Sequence, residues 1–465
     1  MEKSPNLNRA LGLSSVVVIV IANILGSGVY KKVAPMASEL HSSSWVLWAW
    51  IAGGIITLLG ALCNAEVAGL LAETGGEYSY YKKIYNKFFA FIFGWSLFSV
   101  VQSAGIASLA YVFSQSLNSV LNLPQLFSQW QHISVFGIFM PFENFSVKLI
   151  AILLIIALTF VNSRGVKSVA KLSNVLLILV FIGIGLIIIF GLGSSQSHMS
   201  TIFIASKAVK PVTISAFLTA MLAAFWAYQG WASIGYVGGE IKDAHKNIPR
   251  GITIGLFIVI GIYVVVNATY LSLLSVDDLI AINTSGNQIA AVKAVELFWG
   301  KNGVFFISIL ILITTLGCTH ATIMSSCRTY FAMAKEGLFF KSVAVLNKNQ
   351  APANALKFQG VWASLLVLSG TFDQLTDMII FAIYIYYGAT ALGVFILRKK
   401  MPEAHRPYKV WGYPIIPAFF VLFCVALFVN TIVAKPREAA FGMILMMTGI
   451  PLYFWFRSKS KKTED

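Results

Sequence analysis

Residues 21–30 read IANILGSGVY, and residues 225–240 read FWAYQGWASIGYVGGE. Each sits in a long apolar run and interrupts it near the middle: Gly26-Ser27-Gly28 in the first, Tyr228-Gln229-Gly230 in the second. A helix in lipid has no water to satisfy a broken backbone, so each orphaned N–H or C=O costs several kcal/mol. An interruption is tolerated only where protein, water or a bound solute supplies the missing partner. Glycine permits the φ values that a break needs. The half-helix starting at the break turns free N–H groups and a positive dipole end toward an anion. The half-helix ending there turns free carbonyls toward a cation. One break thus provides for a carboxylate beside an ammonium, the two charges an α-amino acid carries on one carbon. A Gly-x-Gly pair is also a close-packing contact between membrane helices. The second interruption, at the corresponding place of a second five-helix half, favours a midplane site in an inverted-repeat transporter.

The rest of the chain fits this setting. Of 465 residues, 58% are apolar and 11% charged, against about 25% charged in an ordinary soluble domain. This excludes a soluble enzyme, a disordered chain and a fibrous protein. A helix crosses the hydrocarbon in about 20 residues, and apolar runs and breakers place spans at 11–39, 45–72, 88–120, 145–162, 170–193, 211–238, 250–274, 303–335, 357–371, 375–397, 413–434 and 438–456. The expected fold class is an all-α integral membrane protein of twelve transmembrane helices, in one transporter domain over 1–465. The N-terminal segment runs into apolar sequence with no A-x-A-like cleavage site and reads as the first span. Cys63, Cys318, Cys327 and Cys424 all fall in or at the ends of apolar segments, so no disulfide framework is expected.

The charge of +16 comes from 34 Lys and Arg against 18 Asp and Glu. With twelve spans, 25 of the 34 basic residues fall on the side of both termini and nine on the other. That asymmetry places both termini in the cytoplasm of a multi-pass cell (inner) membrane protein. The basicity then reflects topology and contact with anionic membrane lipid, not a nucleic-acid partner.

Motifs in order along nearly the whole chain resemble one superfamily. They are ILGSGVY (24–30), GALCNAEVAGLLAETGGEYSYY (60–81), NSRGVKSVAKLSN (162–174), AYQGW (227–231), GGEIKDAHKNIPR (238–250), SSCRTYFAMAKEG (325–337) and LRKKMPEAHRPYKV (397–410). Together they resemble the amino acid–polyamine–organocation superfamily, and within it the L-type amino acid transporter family, as a bacterial member. The resemblance implies a LeuT-like 5+5 inverted repeat, about 11–193 and 211–397, with helices 1 and 6 broken and two further helices over 413–456. It implies alternating-access exchange of amino acids without a cofactor. It also implies that the substrate carboxylate meets Ser27 and the N–H of Gly28, beside Gly26. The ammonium meets carbonyls of Ile24 and Trp226, and Trp226 covers the substrate from outside. A lipid-facing or core role is the alternative for that ring. Gln229 stands where the family has glycine, before Gly230, so its amide narrows the pocket or adds a hydrogen bond. The family's lysine inside span five, at a place like the sodium site of coupled relatives, is here Val180. Mammalian members hold a heavy chain through a cysteine between spans three and four. The segment 122–144 has none, so no disulfide-linked heavy-chain subunit is expected.

Ionisable groups inside a membrane are functional candidates by default. Glu66, Glu240 and Arg328 are read as an inner gate network, with interface anchoring as the alternative. His320 is read as a proton relay or as a quiet hydrogen-bond partner of a neighbouring helix. Thr319, Thr322 and Ser326 beside it line a cation site or pack small residues. Gln102, Ser103 and Gly105, or Tyr384, Tyr386 and Tyr387, face the substrate or pack. GGEYSYY and HRPYKVWGYP read as loops. Without acidic residues in the midplane stretches, neutral substrates are favoured. The alternatives to exchange are a proton- or cation-coupled symporter and a non-transporting amino-acid sensor; no catalytic motif appears.

Overall fold

The computed structural model describes residues 11–71, 76–135, 139–164, 169–203, 211–349 and 351–461. These residues are almost wholly helical, and the only β-pairings among them are two isolated bridges, Leu11 with Ile241 and Val135 with Phe139. The helices in chain order are α1 (Leu13–Ile24), α2 (Gly28–Lys31), α3 (Val33–Leu40), α4 (Ser43–Leu70), α5 (Gly76–Ile84), α6 (Lys87–Ser96), α7 (Gln102–Leu121), α8 (Phe145–Ser163) and α9 (Val169–Leu192). They continue as α10 (Ile214–Tyr228), α11 (Ala244–Leu273), α12 (Val276–Ser285), α13 (Ala290–Lys335), α14 (Ala353–Ser369), α15 (Phe372–Lys400), α16 (Ile415–Ala434), α17 (Pro436–Met447) and α18 (Gly449–Lys461).

Eight helical stretches among the described residues are long and apolar enough to cross a membrane. The other four of the twelve expected spans are not among these eight. The first ends after twelve residues at Ile24 and resumes as α2 and α3. The sixth stops at Tyr228 and continues as a 3-10 helix, Trp231–Glu240. The ninth is the 17-residue α14, and the described apolar part of the fifth is Ile178–Leu192. The third span is α6 and α7 joined through a π-helical turn, Leu97–Val101. Its loosened carbonyls are taken up from other helices, Trp362 Nε1 donating to Ser99 O at 2.8 Å. The eighth is the part of α13 after Gly300, whose non-helical backbone (φ 57°, ψ −145°) makes a kink that separates it from a short preceding helix.

The segment GGEYSYY is helical from Gly76, which corrects its expected loop character. Propensity is overridden by burial: Tyr78, Tyr80 and Tyr81 are all buried. Tyr81 Oη donates to Tyr386 O at 2.8 Å and its ring meets Phe93 edge-on at 4.9 Å. HRPYKVWGYP stays in turns, as expected. All four cysteines are unpaired thiols.

The centre is made by α4, α11, α13 and α15, which pack around the two interrupted helices, with α7 packed against α13 and α15. Trp50 on α4, Tyr228 on α10 and Tyr263 on α11 meet at 5.1–5.9 Å between centroids. This aromatic block fixes where α10 ends relative to α1.

Candidate substrate site at two helix breaks

Leu25 leaves helical geometry with ψ 88°, directly before Gly26-Ser27-Gly28. On α10, Gln229 leaves it with ψ 143°, and Gly230 follows at φ +125°. The two breaks lie against each other, backbone to backbone. A Cβ on Gly230 would stand 2.2 Å from Asn23 O, and one on Gly28 would stand 2.5 Å from Ala227 Cα. Ile24, Gly26, Ser27 and Gly28 are thereby brought beside Trp226, Gln229 and Gly230.

One side chain stitches the breaks together. Tyr263 Oη donates to Ile24 O at 2.9 Å and to Ala227 O at 3.0 Å. The two carbonyls assigned to an ammonium each accept one bond already: Ile24 O from Tyr263, and Trp226 O from Gln229 N at 3.2 Å. A carbonyl oxygen has a second lone pair, so both stay competent. The Ser27 hydroxyl is buried and makes no hydrogen bond. Such an orphan costs about 1–3 kcal/mol for as long as it has no partner.

Tyr387 Oη donates to Gln229 Oε1 at 3.1 Å, so α15 does reach the site. Tyr384 instead lies on Phe225, 4.5 Å between centroids. Tyr386 turns to Ser96, 2.6 Å away. Trp226 is half-buried, with its ring edge-on to Phe372 at 6.1 Å. Cys318 on α13 was invisible as a site residue. Its Sγ lies 3.9 Å from Leu25 O and borders the space beside Gly26.

His320 lies two residues on, about 200° around the helix at 3.6 residues per turn. Its Nδ1 is 2.9 Å from Asn162 Nδ2 on α8. Thr319, Thr322 and Ser326 donate to carbonyls one turn back on α13, at 2.6–2.8 Å, as such residues do in helix interiors. On α7, Ser103 donates to Phe98 O at 2.6 Å, and Gly105 is buried beside open space. Val180 is buried on α9, which packs on α11 and α13.

Glu66 is the best-bonded carboxylate among the described residues. Arg398 grips it with Nε and Nη2 at 2.9 and 2.7 Å, and Val410 N donates at 2.6 Å. Arg406 Nε is 3.6 Å away. Arg328 is exposed on α13, so the basic partners of Glu66 are Arg398 and Arg406. The Glu240 side chain lies outside the described residues.

A second ionic cluster had no counterpart in the sequence reading. Lys31 and Lys32, which belong to the nine basic residues counted on the side opposite the termini, are both buried. Lys32 Nζ lies 2.6 Å from Asp373 Oδ1 and donates to Thr376 Oγ1 at 2.6 Å. Lys31 Nζ donates to Gln115 Oε1 at 2.7 Å, and Gln115 Nε2 to Gly286 O at 2.7 Å. The ring of Phe372 lies under both ammonium groups, 4.8 and 4.6 Å from its centroid. The cluster ties the chain after the first break to α7, α12 and α15.

On α5, between membrane segments, Glu77 is buried with Oε1 unbonded. Burial pushes its carboxyl from 4.5 up to about 8. The folded protein therefore keeps a proton there that the unfolded chain releases, and stability falls as pH rises from the carboxylate range through 8. Glu77→Gln is expected to flatten that slope, by up to about 5 kcal/mol. Thermal inactivation midpoints of purified wild type and variant across that range check it. Parallel slopes would remove Glu77 as the cause.

Residues 11–454 match the family model for amino acid permeases. Among similar proteins is the serine/threonine exchanger SteT of Bacillus subtilis, 29% identical over 97% of this chain and 98% of the relative. The human large neutral amino acids transporter small subunit 2 is 29% identical over 96% of this chain and 80% of its own. The human b(0,+)-type amino acid transporter 1 is 25% identical over 98% and 89%. A match over nearly the full length places the interrupted helices, the buried Ser27 and the surrounding bundle in one established group: the chain belongs to the amino acid permease family.

Proposed function

We propose that this protein moves L-amino acids across the cell membrane by alternating access, in exchange mode, as a stand-alone chain. The carrying observation is the meeting of two helix breaks, with the Ser27 hydroxyl buried and unbonded between them. Twelve spans in a 5+5 inverted repeat, over about 11–193 and 211–397, with α16 to α18 added and both termini cytoplasmic, account for the two breaks and for the charge asymmetry. Ser27 and the N–H of Gly28 take the carboxylate; the carbonyls of Ile24 and Trp226 take the ammonium. Gln229, held by Tyr387, narrows the space for the substrate side chain and favours small neutral substrates. This agrees with the serine/threonine exchanger among the relatives.

The gates follow from the ion pairs. Glu66 with Arg398 and Arg406 holds α4 to α15 at the inner end, and the Lys31/Lys32 cluster closes the outer end. Val180 leaves the span-five position without a cation, and His320 is engaged with Asn162. Neither supports coupling to an ion.

The test is uptake of radiolabelled amino acids into liposomes with an empty or an amino-acid-loaded lumen. Uptake only into loaded vesicles is the expected result; equal uptake into empty ones refutes exchange. Ser27→Ala removes a hydrogen bond to a charged group, worth about 1.5–3 kcal/mol. It is expected to raise the apparent KM by roughly ten- to hundredfold. An unchanged KM would take Ser27 out of the site.

A further inference from the structure

The segment joining α7 to α8 presents a surface that transport does not explain. Across 122–144 it contains no Lys, Arg or Asp, and only His132 and Glu143 are ionisable. Its described part is ordered by local bonds. Leu123 N donates to Asn118 Oδ1 at 2.9 Å, and Leu126 N donates to Ser146 Oγ at 3.3 Å. Ser146 Oγ in turn donates to Pro124 O.

Phe127 sits at φ 56°, a conformation rare for a bulky residue that persists only where the surroundings impose it. The result is a parallel stack on Trp130, 5.2 Å between centroids and 3° between planes. Phe142 meets Trp130 edge-on at 5.3 Å, and Phe145 meets Phe127 at 5.0 Å. Packing that should bury these side chains leaves them out: Leu126, Phe127, Trp130, Ile133 and Val135 are each 41–44% exposed.

Phe145 opens α8, whose Leu153, Ile156 and Phe160 are more than half exposed at helical spacing. The aromatic surface is therefore continuous with a lipid-facing helix. Aromatic side chains with a polar edge concentrate at the headgroup level, and an uncharged apolar surface of this kind is covered in a working protein. We infer that the α7–α8 segment lies on the bilayer as an interfacial plate, with Phe127, Trp130, Ile133 and Val135 at the boundary of headgroups and acyl chains. The occupant of the surface is lipid. It needs no charge complement, which the segment lacks, and it already covers the adjoining face of α8.

The test uses the full-length protein in phosphatidylcholine–phosphatidylglycerol liposomes, with bimane attached at Ile133→Cys or, independently, at Val135→Cys. Glu403→Cys, exposed on the α15–α16 connection, serves as the water-facing reference. Unsubstituted protein gives the background from native thiols. Retained uptake certifies each variant. At both plate positions the expected result is blue-shifted emission, strong quenching by nitroxides in the headgroup and shallow acyl region, and little quenching by iodide. Glu403→Cys should show the reverse. Iodide quenching equal to that reference would put the segment in water and overturn the inference. Quenching by neither agent, with energy transfer between labelled copies that grows with protein-to-lipid ratio, would overturn it in favour of a second copy on this face.

Discussion

Gly230→Ala is expected to reduce amino-acid uptake to background. Two independent effects act at one atom. The residue sits at φ +125°, which side-chain-bearing residues rarely adopt, and its new methyl would stand 2.2 Å from Asn23 O. The backbone strain alone costs about 1–3 kcal/mol. The steric conflict is with main chain, so it is relieved only by displacing the end of α1. That displacement opens the contact on which Ile24, Ser27 and Gly28 depend, and a misplacement of about 1 Å is enough to disable a binding constellation. Gly286→Ala separates the two effects. Gly286 also has a positive φ, 65°, but a Cβ there meets nothing within 4 Å. Its variant should keep uptake with a modest loss of stability. If Gly230→Ala transports as well as Gly286→Ala does, the close approach of the breaks does not matter for function.

Asp373→Asn is expected to be strongly destabilising. It leaves the Lys32 ammonium, wholly buried, facing an amide in place of a carboxylate 2.6 Å away. Removing one partner of a buried pair costs about 3–5 kcal/mol, whereas replacing both with apolar groups is often neutral. The Asp373 side chain is 28% exposed, so the lower end applies. Lys32→Met combined with Asp373→Asn should recover most of the loss. The check is the thermal midpoint of the purified variants, with the coupling taken from the double-mutant cycle. Equal losses for single and double variants would show that the pair does not hold the outer cluster.

The break residues were readable because lipid penalises them: glycine and polar residues in an apolar run stand out without any knowledge of the fold. Their partners were not. Lys32 and Asp373 are separated by 341 residues and Lys31 and Gln115 by 84, and nothing local marks those lysines as buried. Glu66 was recognised as an ion-pair member, but Arg328 and Arg398 look alike in sequence, each closing an apolar run. Only packing of α4 against α15 chooses Arg398. Tyr263 was passed over because a tyrosine in an apolar helix reads as core until the two carbonyls beneath it are unwound. The helix at Gly76–Ile84 escaped notice because its tyrosines bury against α6 and α15, not along a long apolar face.

Tyr263 has one hydroxyl hydrogen and two carbonyls within 3.0 Å of it. Such a three-centre bond is weaker toward each acceptor than a full one. When one half-helix swings away, the hydrogen turns wholly to the carbonyl that stays, and little enthalpy is lost. Releasing the second then costs a complete bond, about 1 kcal/mol net. The first departure is cheap and the second is resisted. In the alternating-access cycle proposed above, this hydroxyl would act as an escapement: it would let α1 and α10 disengage one after the other and work against both letting go at once.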